Sequence, residues 1–236
     1  MLELVERVEG WLMYSAKLIN KQMDSVYGLY LPEYVIPAPE AQTNFVEIIG
    51  RDGSLDKTAP NGIVRYKDRE WELIFKKTGP DVSADDVPTL STNLMNDLHG
   101  KRGEVIFDDD LSHKWIGRLF VVDVSCENNG LIIVKFKFIS EPYKYGINNI
   151  VKTAVLSSTS QNITLSNGRK PIVPTVTVSG SNSTATLSFT VNGTSYNTTL
   201  NTGTWTVADL VLFEGDTVVA VIGSGSISIT YPEALL

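Results

Sequence analysis

Residues 131–139 alternate with a period of two: Ile132, Val134, Phe136 and Phe138 share one face, and Lys135 and Lys137 share the other. That period belongs to a strand with one face buried and one wet, and it is incompatible with a helix. The segment 117–124, Gly-Arg-Leu-Phe-Val-Val-Asp-Val, precedes it across Glu127-Asn-Asn-Gly130. Asn-Gly supplies the positive backbone dihedrals of a tight turn, so the two segments are expected to pair as an antiparallel hairpin.

Around this hairpin the first half reads as a β-meander. Segments 63–66 and 71–75 are expected to pair about Lys67-Asp-Arg-Glu70, and 104–107 is expected to face 114–119 across the acidic turn Asp108-Asp109-Asp110. One helix interrupts the strands. Leu90, Leu94 and Leu98 recur every four residues, Ser91 is placed to cap the start, and Gly100 stands where a left-handed residue ends a helix. A helix of about ten residues is unstable alone, so its leucine stripe must pack on the sheet.

From about Leu156 the composition turns to Ser, Thr, Val, Gly and Asn. Segments 174–178, 184–191, 194–199, 205–212, 217–222 and 226–231 read as short strands, with Asn192-Gly193 the clearest hairpin turn. Such spacing points to a β-sandwich or jelly roll. Proline and glycine in Glu141-Pro-Tyr-Lys-Tyr-Gly146 are expected to interrupt the strand reading at the junction. The division is therefore 1–146 and 147–236, with 226–236 either completing the second domain or returning to the first.

With 42% hydrophobic residues, 236 residues suffice for a real core. A formal charge of -7 without a basic cluster argues against recognition of nucleic acid. Cys126 is the single cysteine, and no apolar run reaches the roughly 18 residues that span a bilayer. Glu3 and Glu6 stand where a signal peptide needs a basic end, so a soluble product of a cytoplasm is expected. Residues 1–12 differ in character from the rest of the chain; they read either as a short amphipathic helix or as sequence ahead of a true start at Met13.

Catalytic patterns are lacking. His99 and His113 are the only histidines and neither sits at metal-ligand spacing. His99 reads as a cation in the last helical turn. The triplet at Asp108 lacks the spacing of a calcium loop and reads as a solvated turn. The Asn-x-Thr triplets at Asn162, Asn182, Asn192 and Asn197 are frequent by chance in a strand domain of this composition. Gly223-Ser-Gly-Ser226 is a turn rather than a nucleophile elbow, and no phosphate-binding glycine pattern occurs. The residues thus assign no catalytic group, no metal ligand and no cofactor. In the second half Tyr196, Trp205 and Tyr231 are candidates for a saccharide-stacking platform, Tyr196 and Trp205 foremost. That motivates an alternative reading as a carbohydrate-binding module for host cell-wall saccharide; a cell-wall hydrolase is the weakest reading, since no carboxylate pair has an acid–base setting.

Val46-Glu-Ile-Ile-Gly-Arg-Asp-Gly-Ser-Leu-Asp56, followed by Tyr66-Lys-Asp-Arg69 and a strand, resembles the start of siphophage distal tail proteins (Dit). The helix ending in Leu98-His-Gly100, the acidic hairpin, the junction motif and Leu165-Ser-Asn-Gly-Arg-Lys-Pro-Ile-Val-Pro174 come in the family's order. Ile49 stands where the family usually has proline. The resemblance runs from about Tyr14 to the end. It implies a mainly β chain: an N-terminal β-sandwich or meander with one helix and an extended hairpin, then a galectin-like C-terminal β-sandwich. It also implies a hexameric ring at the tail tip or baseplate of a virion assembled in the host cytoplasm. The implied partners are other copies of itself, the tail tube protein, the tape-measure protein, a tail-associated fibre or hub protein and a receptor-binding protein, with no membrane. The residues expected at the oligomer interface are Ile48, Gly50, Arg51, Asp52, Gly53, Asp56, Tyr66 and Arg69. Gly50 and Gly53 would supply backbone geometry and the charged groups would bond in the turn or across a subunit boundary.

Overall fold

The structure, a computed structural model, describes residues 14–59, 62–127 and 130–236. The N-terminal stretch ahead of Tyr14, with its expected helix or internal start, and the Asn128-Asn129 pair of the central turn lie outside the described residues. The chain is mainly β and divides into two compact units, Met1–Pro142 and Tyr143–Leu236.

The first unit carries strands β1 (Ala16–Leu18) and β2 (Lys21–Gln22), helix α1 (Met23–Tyr27), and β3 (Phe45–Val46), β4 (Leu55–Asp56) and β5 (Arg69–Thr78). Helix α2 (Asp86–Asp97), β6 (Arg102–Phe107), β7 (His113–Glu127) and the first part of β8 (Leu131–Val155) complete it. Strands β6, β7 and β8 are neighbours in that order in the sheet, so the central hairpin and the acidic hairpin form as the residues predict. The alternation in β8 is realised: Ile132, Val134, Phe136 and Phe138 are all buried. Gly130 closes the turn at φ +67.

Strand β5 corrects the local pairing expected for it. Its partner is β8, from Arg69↔Ser140 to Thr78↔Leu131, and not the segment 63–66. The reason is burial. Trp71, Leu73 and Phe75 form an apolar stripe that matches the stripe of β8, whereas Tyr66 pairs with Ala41 in an isolated bridge. Phe75 packs edge-on to Phe136 at 5.6 Å and Trp71 edge-on to Trp115 at 5.3 Å. Aromatic pairs of this kind add about 1 kcal/mol each beyond area burial.

The helix also begins earlier than expected. Asp85 is its cap, so Ser91 lies inside it. Asp86 accepts the Ser83 N–H at 3.0 Å, and Pro88 sits in the first turn, where no N–H donor is needed. Leu90, Leu94 and Leu98 are buried and face the core, each contributing about 2 kcal/mol. Gly100 is left-handed at φ +71, and its N–H goes to the Leu119 carbonyl in β7, 2.7 Å away. His99 lies past the last residue of the helix, Asp97. Its Nδ1 accepts the Val121 N–H at 3.1 Å, which requires a lone pair on that nitrogen. A second helix, α1, was not expected; five residues are too few to show a period.

Strand β8 runs through Pro142 and Gly146 without a break, contrary to the interruption expected there. Pro142 falls between the last residue paired with β5, Ser140, and the first paired in the second unit, Lys144. A missing N–H is tolerated at such a gap.

The second unit holds β9 (Gln161–Asn167), β10 (Thr175–Ser179), β11 (Thr184–Val191), β12 (Thr194–Asn201), β13 (Gly203–Thr206), β14 (Gly215–Gly223) and β15 (Ser226–Leu235). One sheet runs β12-β11-β14-β9. In the other ladder β13 pairs β10, β10 pairs β15, and β15 pairs residues 144–155 of β8. Leu165, Ala185, Leu187, Phe189, Val219 and Val221 are buried on the first sheet, and Val176, Val178, Ile227, Ile229 and Tyr231 on the other. Asn192 and Gly193 have φ of 49 and 78, the double positive dihedral of a type I′ turn. The expected strand 205–212 is only Gly203–Thr206. Beyond it Val207, Leu210 and Leu212 are buried as a loop, tied down by Ile172↔Leu212.

Candidate functional site

An arm of the first unit leaves the β5 region and returns to it. Residues 40–46 run out and residues 55–59 and 62–67 run back, held by Lys67 N–H to Glu40 O (2.8 Å), Gln42 N–H to Arg65 O (2.8 Å) and Lys57 N–H to Asn44 O (2.7 Å). Strands β3 and β4 form its outer rungs, Phe45↔Asp56 and Val46↔Leu55. The Gln42 side-chain amide donates to the Tyr66 carbonyl, which fixes Tyr66 at the base of the arm. The turn is Gly50-Arg-Asp-Gly53, with φ of 83 at Gly50 and 75 at Gly53. Both values lie in the left-handed region, where glycine is unstrained.

The tip is apolar and wet. Phe45, Val46 and Ile48 are exposed, and Ile49 is fully so at 105%. Four large apolar side chains on a two-stranded ribbon thus stay in water and gain no burial energy from the chain itself. Among the described residues, Arg51 and Asp52 make no side-chain hydrogen bond or ion pair. Asp56 differs: its carboxylate accepts the Thr58 N–H at 2.8 Å, and the Thr58 hydroxyl and N–H hold it below the usual carboxylate range. Asp56 is thus a local turn anchor.

Arg69 is a buried group and not an exposed one. Its Nε and Nη2 donate to the Pro142 carbonyl at 2.9 and 2.6 Å, and its Nη1 donates to the Pro37 carbonyl at 2.9 Å. The guanidinium also lies over the Trp115 ring, 4.9 Å from its centroid. Burial lowers its pKa from the ordinary arginine value. Arg69 therefore clamps the root of the arm, at Pro37, onto β8. Ile48, Gly50, Arg51, Asp52 and Gly53 are gathered at the tip, while Asp56, Tyr66 and Arg69 hold the arm in place.

The acidic turn is fully occupied by intramolecular contacts. Asp108 takes the Gln22 amide, Asp109 takes the Tyr34 hydroxyl at 2.8 Å, and Asp110 takes the Ser112 hydroxyl and lies 2.7 Å from His113 Nδ1. Burial, with Asp109 adding to it, drives the Tyr34 phenol pKa upward. Each carboxylate turns to a different partner, a geometry of hairpin bracing.

In the second unit the aromatic candidates do not converge. Tyr231 is buried and donates to the Ser166 carbonyl at 3.0 Å. Tyr196 stacks on Phe189 at 5.4 Å within the four-stranded sheet. Trp205, 41% exposed, lies on β13 and donates its indole N–H to the Asn201 carbonyl at the end of β12. Tyr196 is five residues from Asn201, on the order of 17 Å along an extended strand. The two rings thus stand on different sheets.

Residue patterns missed the open outer edge of β5. It borders a groove of about 470 Å³ whose far wall is the proline-rich segment containing Pro32 and Pro37. The three prolines at 32, 37 and 39 are the signal that could have marked it, since they cannot complete a ladder.

No protein-family model matches the sequence, and no curated protein matches it. Among solved structures, the chain is similar to the crystal structure of SPP1 Dit (gp 19.1), described as a paradigm of hub adsorption apparatus in Gram-positive infecting phages. The TM-score is 0.67 at 16% identity, with 94% of this chain and 99% of that chain covered. The two chains share a fold along nearly their whole lengths.

Proposed function

We propose that this chain is the structural hub of a phage tail tip or baseplate: a hexameric ring that joins the tail tube to the host-adhesion device and catalyses no reaction. The observation that carries the reading is the exposed apolar arm tip, Phe45 to Ile49, with Arg51 and Asp52 unpaired beside it. A fold similar to SPP1 Dit over 94% of the chain supports it. An arm that buries little of its own apolar surface is explained by a neighbour that covers it. Contacts made head-to-tail by two different patches close into a ring when the rotation permits.

In this reading the second unit is a galectin-like sandwich projecting from the ring, and the partners are the tube protein, the tape-measure protein, a fibre or hub protein and the receptor-binding protein. The complex is a virion component assembled in the host cytoplasm. Host saccharide binding falls to the separate receptor-binding or fibre proteins, since Trp205 and Tyr196 do not share a platform.

Negative-stain electron microscopy of the purified chain tests this. Annular particles with sixfold symmetry are expected, and particles should be lost in an Ile48→Asp, Ile49→Asp double variant whose circular dichroism is unchanged. Fields of single small particles for the unaltered chain, with or without tail extract, would speak against a ring.

A further inference from the structure

One sheet of the second unit ends on an unprotected strand. Residues 149–155 of β8 pair with β15 on one side, from Asn149↔Pro232 to Val155↔Ser226. The Leu156 N–H donates to the Gly225 carbonyl at 2.8 Å and continues that ladder. Main-chain direction alternates along a strand, so Ala154, Lys152 and Ile150 also face β15, while Val155, Thr153, Val151 and Asn149 face away. Strand β5 leaves β8 at Ser140, and β7, whose Gly117 lies against Ser140, begins at His113; neither reaches this stretch. Among the described residues, the outward N–H and C=O groups of Asn149, Val151 and Thr153 have no partner. The side chains do not protect the edge either: Val151 is 54% exposed and Val155 75%, and Lys152 is the single charge on it. The unit's other outer strands are guarded, since β9 and β12 expose Asn, Ser and Thr and β13 is only Gly203–Thr206. A flat apolar edge with free main-chain groups is a template for another strand.

We propose that this edge pairs with the same edge of a second copy of the chain, antiparallel and centred on Val151. The inference goes beyond the ring reading and does not depend on it. Self-complementarity selects the occupant. With Val151 opposite Val151 of the second copy, Asn149 faces Thr153, and every outward N–H of these three residues meets a carbonyl of the same set. The exposed valine gains an apolar partner, and Asn149 gains a hydroxyl within reach. Neighbouring registers are worse. Centring the pair on Lys152 sets two ammonium groups directly opposite each other. Centring it on Thr153 needs the Val155 carbonyl, which already accepts the Gln161 side-chain amide at 2.7 Å. A shift the other way runs into the register irregularity beyond Asn149. A two-fold contact closes at two copies and cannot recur around a sixfold ring, so in a ring it joins the second units of separate assemblies. A contact of this length is small, so it forms in concentrated protein and is lost on dilution.

The test uses the full chain, both unaltered and with Ile48→Asp and Ile49→Asp, so that loss of the ring and loss of the pair are separate readings. Position 151 faces itself across the two-fold, and a charge placed there repels its own copy. Val151→Lys and Val151→Asp are each expected to raise the concentration needed for pairing by about tenfold in sedimentation velocity, with circular dichroism unchanged. An equal mixture of the two should pair again. In a second arm, Val151→Cys with Cys126→Ser is treated with a short bismaleimide in concentrated solution, beside Asn197→Cys with Cys126→Ser. Covalent dimers should form through position 151 and not through position 197. Should the charged variants misfold, this arm decides. Charged variants that pair like wild type, a mixture no better than its components, or absence of the cross-link through position 151 overturns the pairing and leaves the ring reading intact. Cross-linking through position 151 that appears only after tail extract is added overturns the second copy as the occupant.

Discussion

The Arg69 guanidinium lies 4.9 Å from the centroid of the Trp115 ring and spends its donors on two carbonyls, those of Pro37 and Pro142. A planar fork is needed to reach both at once, and an ammonium cannot do so. Arg69→Met leaves those carbonyls without donors in a buried site and is expected to cost on the order of 3 kcal/mol. Arg69→Lys is expected to fall between. Urea denaturation of the three proteins checks the ranking, and an Arg69→Met midpoint equal to wild type would show that the clamp contributes nothing.

Two glycines in the first unit should respond to substitution to different degrees. A Cβ on Gly117 would lie 2.3 Å from the Ile139 carbonyl oxygen, a backbone atom that cannot swing aside. Gly117→Ala is expected to destabilise by roughly 2–3 kcal/mol, as overpacking does. Gly50 has open space around it, and only its positive φ opposes a side chain. Gly50→Ala is expected to cost about 1 kcal/mol, confined to the arm. Thermal melts of the two variants compare them directly, and equal shifts would contradict the packing argument.

Asp97 gives a pH dependence. The Tyr27 hydroxyl donates to it at 2.6 Å and Lys21 lies 3.2 Å away, and these hold its carboxyl below the usual range. A depressed folded pKa means the contribution is present above the ordinary value of about 4 and is lost as pH falls through the lower folded value. Burial, then the bond to Asp97, pushes the Tyr27 phenol up, so its contribution is present below about 10 and is lost as pH rises through the folded value. In Tyr27→Phe the Asp97 titration midpoint, followed by carboxyl carbon NMR, is expected to move upward. An unchanged midpoint would remove Tyr27 as the main cause.

The residues disclosed those elements whose partners are near in sequence or whose period is long. Ile132 to Phe138 gave away both strand and buried face, and Asn192-Gly193 gave away its turn. The arm tip was legible because Gly50 and Gly53 bracket two charged residues. Strand β5 was not paired correctly, since its partner lies some sixty residues on and is chosen by matching Trp71, Leu73 and Phe75 to an apolar face already formed. The bonds of Arg69 were hidden for the same reason: its acceptors, at Pro37 and Pro142, become neighbours only once the sheet is assembled. The continuation of β8 through Pro142 depends on a change of neighbouring strand that no local pattern encodes.

The arm tip should govern assembly through charge as well as apolar contact. Arg51→Ala leaves every described intramolecular bond in place and is expected to raise the concentration needed for assembly about tenfold, without moving the melting temperature. Asp56→Ala, by contrast, should loosen the turn itself through loss of the Thr58 bond. Sedimentation velocity over a dilution series separates the two, and identical profiles for Arg51→Ala and wild type would mean that Arg51 takes no part in assembly.

The most direct measurement of the central claim is the mass of the native particle by multi-angle light scattering at physiological salt. The account predicts a species about six times the 25.9 kDa of one chain, either alone or on addition of tail proteins. A particle that stays at the mass of a single chain across concentration, and in the presence of those proteins, would contradict it.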